Sequence, residues 1–279
     1  MVALLAVALR RRGRDPRWCA LYALCPAPVL EIVNNGHVDG LALALSVAAF
    51  VVASPDGRRR PRNSELAAGV LIGLAVLVKL YPALLIVALV AGSPDRRGRA
   101  LVRIGGAAAA VVALGYLPHG LAVGTKVVGF LPGYLGEEQY DGAGRYLVAG
   151  ALGIPAALAG AVSVLAVGAA LTWVWARRPA APTGAAVILG TLLLAVSPVQ
   201  PWYAVALLAL AALAAEPRWA VVVAAGYPYF FAVILLHPQR TGIGQLAYAL
   251  AAVALAAPLL LRGFRAPTRT MRRCSPSGC

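Results

Sequence analysis

Charge is scarce in this sequence. Only 13% of its 279 residues are Asp, Glu, Lys or Arg, against about 25% in soluble domains. Acids are scarcer still, 10 against 25 bases. The chain is 61% hydrophobic with a mean hydropathy of +0.80, more apolar sequence than a soluble core absorbs. Its apolar stretches recur from end to end, each roughly long enough to enter or cross a hydrocarbon layer of about 30 Å. The expected fold is all-α: a polytopic integral membrane protein of about ten transmembrane or half-membrane helices.

Other absences exclude other classes. There are four cysteines and no CxxC pair, and the terminal Ser-Gly-Cys lacks the spacing of a prenylation box. The thiols therefore read as buried or tail residues, without a metal site or a disulfide framework. The net charge of +15 is not interleaved with aromatics, so nucleic acid is not an expected partner. No basic region precedes the first apolar stretch. Met1–Leu9 comes first and Arg10, Arg11 and Arg12 follow, the reverse of a secretory signal. Residues 1–9 read as the tail of a truncated helix whose beginning an upstream polypeptide would supply. Residues 1–265 form the expected transmembrane domain, and 266–279 an expected disordered cytoplasmic tail.

What is present is a pattern of arginines. Apolar segments cover about 18–33, 38–53, 66–78, 81–91, 101–118, 147–175, 184–199, 202–215, 219–236 and 246–261. Basic residues fall in alternate gaps: Arg10–Arg17, Arg58–Arg62, Arg96–Arg103, Arg177–Arg178, Arg218 and Arg262–Arg273. Only Lys79, Lys126, Arg145 and Arg240 lie elsewhere. The positive-inside rule puts the six basic gaps in the cytoplasm. Parity then makes 66–91 a hairpin, because both of its flanks are basic. Its turn falls at Lys79-Leu80-Tyr81-Pro82, where Pro82 disfavours helix at Tyr81. By the same reasoning 184–215 is a hairpin turning at Ser197-Pro198-Val199-Gln200-Pro201-Trp202-Tyr203, the alternative being one kinked helix with Arg218 outside the pattern.

The opposite face collects Glu31, Asn34, Asn35, His37 and Asp39, then Lys79 and Tyr81, then Lys126 with Glu137, Glu138 and Asp141. Gln200, Trp202 and Tyr203 follow, and lastly His237, Gln239 and Arg240. Ionisable groups at membrane depth are costly and point to function. Asn34-Asn35-Gly36 signals a turn, with Asp39 at the positive end of the next helix. His37 and Asp39 are either that turn and its acid or ligands of a divalent cation, though two ligands make a weak case. Lys79 is either a lysine that snorkels to the headgroups or, better suited to a buried turn, a point charge for a lipid phosphate. Arg240 is either a plain interfacial loop arginine or a second phosphate group. Glu137, Glu138 and Asp141 are either a solvated acidic loop or groups that bind sugar hydroxyls or act as a base. Trp202 and Tyr203 are either interfacial anchors or a stacking surface for a sugar.

Leu21-Tyr22-Ala23-Leu24-Cys25-Pro26 leads to Glu31 and to Asn35-Gly36-His37-Val38-Asp39-Gly40. Gly69-x-x-x-Gly73 then precedes Val78-Lys79-Leu80-Tyr81-Pro82, and Ser197-Pro198 precedes Pro201-Trp202-Tyr203. Over roughly residues 18–215 this order resembles the GT-C class of polytopic glycosyltransferases. Within it, the order is similar to the bacterial, actinobacterial-type mannosyltransferases of family 87 and relatives, which use polyprenyl-phosphate mannose. The resemblance implies transfer of a hexose, with inversion, from a polyprenyl-phosphate donor to a glycan or glycolipid acceptor. It places that site on the extracytoplasmic face of a bacterial plasma membrane, with no further cofactor. For that reaction Asp39 and His37 are the candidate catalytic groups, and Lys79, Tyr81 and Arg240 the candidate phosphate ligands. Asn35, Glu137, Glu138, Asp141, Trp202 and Tyr203 become sugar or acceptor contacts, with no metal ligand. The key acid that such enzymes carry in their first outer loop has no counterpart here. Either an upstream partner supplies it, Asp39 or the 137–141 acids substitute, or the chain is a non-catalytic remnant. A transporter or flippase is the rival class, since buried hairpin turns occur there too.

Overall fold

Prolines, glycines and arginines mark where the helices start and stop. The computed structural model describes residues 1–53, 62–93, 97–129, 133, 146–195 and 200–264, and every regular element among them is helical. Helix α1, Val2–Arg11, ends on Arg10 and Arg11, cations beside the negative end of its dipole. A 3₁₀ turn, Pro16–Cys19, is capped by Asp15, whose carboxylate accepts the Arg17 N–H at 2.8 Å. Helix α2, Ala20–Ala23, follows. The segment expected over 18–33 is interrupted by Pro26 and resumes as a π-helical turn, Pro28–Asn34. Gly36 then takes a positive φ of 65°, which a side chain would resist. The chain bends by 114° into α3, Asp39–Val52.

Helix α4 is Arg62–Val78 and α5 is Pro82–Ala91. The turn between them lies at Lys79, Leu80 and Tyr81, as expected, but the two arms are unequal, at 17 and 10 residues. Next come α6, Arg97–Ala100, a π turn, Leu101–Gly105, and α7, Gly106–Val123, which ends in the 3₁₀ turn Gly124–Val128. The stretch expected as one segment over 147–175 is two helices, α8 (Leu147–Ala151) and α9 (Ala156–Arg177). Gly153, at a φ of 71°, and Pro155 separate them. Helices α10, Ala181–Ala195, and α11, Pro201–Ala214, precede α12, Ala220–Tyr229. A π turn, Phe230–Leu235, and α13, Thr241–Phe264, complete the described chain.

Two helical stretches are singly long and apolar enough to cross a membrane, Arg97–Val127 and α9, with 31 and 22 residues. Their flanks carry exposed Leu114, Leu117, Leu121, Val164 and Leu165, an apolar surface suited to lipid. The core centres on α11, which is buried from Ala204 to Leu213 and packs against α3, α10 and α12. Gly69 and Gly73 let α4 lie directly on α7. A Cβ at Gly73 would stand 2.8 Å from the Ala108 carbonyl, and one at Gly69 would meet the Ile104 carbonyl. Such small-residue stripes are the usual device of close helix contacts in bilayers.

The helix ends sort into two poles. At one, Arg12 Nη2 donates to the Phe50 carbonyl at 2.9 Å, Arg97 Nη1 to the Trp175 carbonyl at 2.6 Å, and Arg103 Nη1 to Glu65 Oε2 at 2.8 Å. A cleft there joins Arg12 and Arg14 to Pro182 and Thr183 of α10 and to Leu213 and Ala214 of α11. The start of α10 and the end of α11 thus share the arginine pole, which makes the pair antiparallel. Their connection at 196–199 lies outside the described residues. The opposite pole gathers the starts of α3, α5 and α11 with the end of α4.

Candidate functional site

The site is built where the bend before α3 meets the turn after α4. Asp39 is the first residue of α3 and is 4% exposed. Lys79 directly follows α4, and its Nζ lies 3.3 Å from Asp39 Oδ2. This is an ion pair without hydrogen-bond alignment. Both carboxylate oxygens of Asp39 are buried without a hydrogen-bond donor, as are the Tyr81 hydroxyl and Gln200 Oε1 for partners of their own. Native interiors rarely leave such groups unmatched, and a polar ligand is one way to match them. Lys79 Nζ also stands 5.1 Å from the centre of the Tyr203 ring, within cation–π range.

A second cluster adjoins the pair. Glu31, on the π turn, is 5% exposed. Its Oε2 accepts Asn35 Nδ2 at 3.2 Å and its Oε1 accepts the Tyr227 hydroxyl at 3.3 Å. His37 Nδ1 lies 2.8 Å from the Glu31 backbone oxygen and 4.0 Å from its Oε2. The imidazole stacks on Trp202 with centroids 4.0 Å apart and planes 19° apart. Trp202 in turn meets Tyr203 at 5.8 Å and Phe230, edge-on, at 6.3 Å. Trp202 is the second residue of α11, placed by Pro201 at the helix start, a position where the missing N–H of proline costs nothing.

The candidates from sequence therefore divide. Asn35, His37, Asp39, Lys79, Tyr81, Trp202 and Tyr203 lie in this one region. His37 and Asp39 face different partners, Glu31 and Lys79, rather than a common point. Among the described residues no group of three or more His, Cys, Asp or Glu side chains is gathered to hold a metal ion. Arg240 is exposed and its backbone N–H donates to the Ala232 carbonyl at 2.8 Å. Among the described residues no side-chain bond carries it to the Lys79–Asp39 pair. Glu137, Glu138 and Asp141 lie outside the described residues.

Two participants were missed as site residues. The sequence marks Glu31 by its place in the outer gap and in the run that leads to Asn35, and does not mark Tyr227. A lone glutamate in an apolar run was the available signal for the first, whereas nothing local marks a tyrosine 196 residues away. A groove of about 310 Å³ also opens beside Leu77, two residues before Lys79, lined by Tyr116, His119, Val123 and Lys126.

No curated protein and no solved structure matches the chain. The family model of glycosyltransferase family 87 matches residues 1–198, a span that includes the bend, the Lys79 turn and the buried acids. That match and the apolar helices mark a membrane glycosyltransferase, and the chain belongs to glycosyltransferase family 87.

Proposed function

We propose that this glycosyltransferase moves a hexose, specifically mannose, from a polyprenyl-phosphate donor to a glycan or glycolipid acceptor at the outer face of a bacterial plasma membrane. The observation that carries the reading is Lys79. It is an ammonium at the end of a buried hairpin, beside unmatched polar atoms and at the pole opposite the arginines. Transfer with inversion breaks the bond between the anomeric carbon and the phosphate oxygen. Negative charge then grows on a phosphate already held at the membrane surface. A fixed cation stabilises that charge more in the transition state than in the ground state. The acceptor oxygen bonds the anomeric carbon from the other side and gives up its proton to a base.

Asp39 holds Lys79 in place from its buried position, while the ammonium remains partly exposed to a ligand. The groove at Leu77, Tyr116 and Lys126 combines an apolar wall with a cation, and suits a lipid that arrives sideways from the bilayer. Family membership favours transfer over the transporter reading.

The test uses membranes that contain the full chain, a radiolabelled polyprenyl-phosphate mannose and an envelope glycolipid extract. Label should pass to the extract, and Lys79→Ala should lower turnover by about 10²–10³-fold, the scale of losing one charge-stabilising group. Transfer from a sugar nucleotide instead, or unchanged turnover in the variant, would remove this reading. No transfer from any donor would leave the non-catalytic alternative.

A further inference from the structure

We infer that His37 is the base that takes the acceptor proton, acting through Nε2, with Glu31 as the residue that positions it. The inference deepens the transfer reaction proposed above. It begins with a tautomer. His37 Nδ1 lies 2.8 Å from the backbone oxygen of Glu31. A carbonyl has no proton to give, so the bond exists only if Nδ1 carries the hydrogen. In the neutral ring the free lone pair then resides on Nε2.

The ring cannot turn without loss. Its face is stacked on Trp202 at 4.0 Å, and rotation about its own axis would break the Glu31 bond. Nε2 is therefore held in one direction, as an oriented base requires. The Glu31 carboxylate stands behind the ring. Its Oε2 lies 4.0 Å from Nδ1, and Asn35 and Tyr227 fix its two oxygens. This is the orienting place that the carboxylate of a hydrolase triad holds.

Among the described residues the alternative base is Asp39. The Asp39 side chain is 5% exposed and pairs with Lys79, whereas the His37 side chain is 26% exposed. Of the two, the histidine is the more exposed. The charged and titratable groups around it are Glu31, Asp39 and Lys79, with Tyr203 and Tyr227.

The step balances. The acceptor O–H bond breaks and its proton goes to Nε2. The electron pair left on oxygen forms the bond to the anomeric carbon. The bond from that carbon to the phosphate oxygen breaks, and its pair leaves on the phosphate beside Lys79. The imidazolium returns its proton to water.

Two measurements test the inference on the full chain in lipid nanodiscs. The first is ¹⁵N NMR with labelled histidine, of which the chain has only three. A His37→Gln sample identifies the His37 signal, which should show a protonated Nδ1 and a bare Nε2 in the neutral form. A proton on Nε2 instead would overturn the inference, and this readout needs no donor. The second is kinetic. His37→Asn, whose Nδ2 stands where Nδ1 does, retains an N–H for the Glu31 carbonyl but has no base, so kcat should fall about 10²–10⁴-fold with KM little changed. The decline of kcat/KM toward acid pH should vanish with it, and added imidazole should partly restore His37→Gly. A purely structural His37 would leave the acid limb in place and His37→Asn near wild type, which also overturns the inference. If the wild type fails with polyprenyl-phosphate mannose, that donor is wrong, and the tautomer still decides the position of the lone pair.

Discussion

Lys79 Nζ and Asp39 Oδ2 stand 3.3 Å apart, joining the end of one helix to the start of another. The carboxylate is almost wholly buried and the ammonium is not. Removing only the cation strands a buried charge, which costs about 3–5 kcal/mol, while replacing both partners is far less harmful. Lys79→Met alone should therefore unfold at a clearly lower temperature than the Lys79→Met/Asp39→Leu double variant in the same detergent. Both should lose transfer, because the phosphate has lost its cation in each. Equal thermal stability of the two variants would mean that the pair is not formed in the folded protein.

The Glu31 carboxylate carries a related prediction. Tyr227→Phe deletes the hydroxyl that donates to Glu31 Oε1 at 3.3 Å. Hydrogen bonds to charged groups contribute about 1.5–3 kcal/mol. The variant should lose that much stability in denaturant titration. Glu31→Ala should cost more, since it also releases Asn35. A Tyr227→Phe protein as stable as wild type would show that the π turn and α12 are not coupled through this bond.

How much of this was legible follows from how local each signal is. The Lys79 turn was readable because Pro82 and two arginine clusters constrain it within 46 residues of sequence, Arg58 to Arg103. The Asn35-Gly36-His37 bend was readable from its glycine, which indeed takes a positive φ. Glu31 with Tyr227, and His37 with Trp202, were not readable as pairs. They join segments far apart in the chain, and no spacing rule links a π turn to the start of α11 or to the interior of α12. The break at Gly153 and Pro155 was visible as residues but was outweighed by the apolar run around it. Helix α4 starts ahead of the apolar 66–78 segment because it extends into polar sequence, Arg62 to Glu65, where Glu65 is neutralised by Arg103.

The glycine stripe on α4 should be intolerant of size. A Cβ at Gly73 would stand 2.8 Å from the Ala108 carbonyl and 3.0 Å from its Cα. These are backbone atoms that cannot swing aside. Gly73→Leu should push α4 off α7 and carry Lys79 with it, lowering both unfolding temperature and turnover. Overpacking of this kind typically costs about 1–3 kcal/mol. Gly98→Ala serves as the control, since nothing lies within 4 Å of a Cβ there. A Gly73→Leu protein of wild-type stability would show that these helices do not touch.

Orientation in the membrane is the last expectation, and it can be measured directly. Asn34 lies at the pole of the Lys79–Asp39 pair and Arg99 beside the arginine pole, both exposed. With Cys19, Cys25, Cys274 and Cys279 changed to serine, single cysteines are introduced as Asn34→Cys and Arg99→Cys. Arginine-rich segments stay in the cytoplasm because their translocation is disfavoured. A membrane-impermeant maleimide should then label position 34 in intact cells and position 99 only after permeabilisation. The opposite pattern would put Lys79 on the cytoplasmic side, where an externally presented lipid phosphate could not reach it. The kinetic effect of Lys79→Ala would then need a donor from inside the cell.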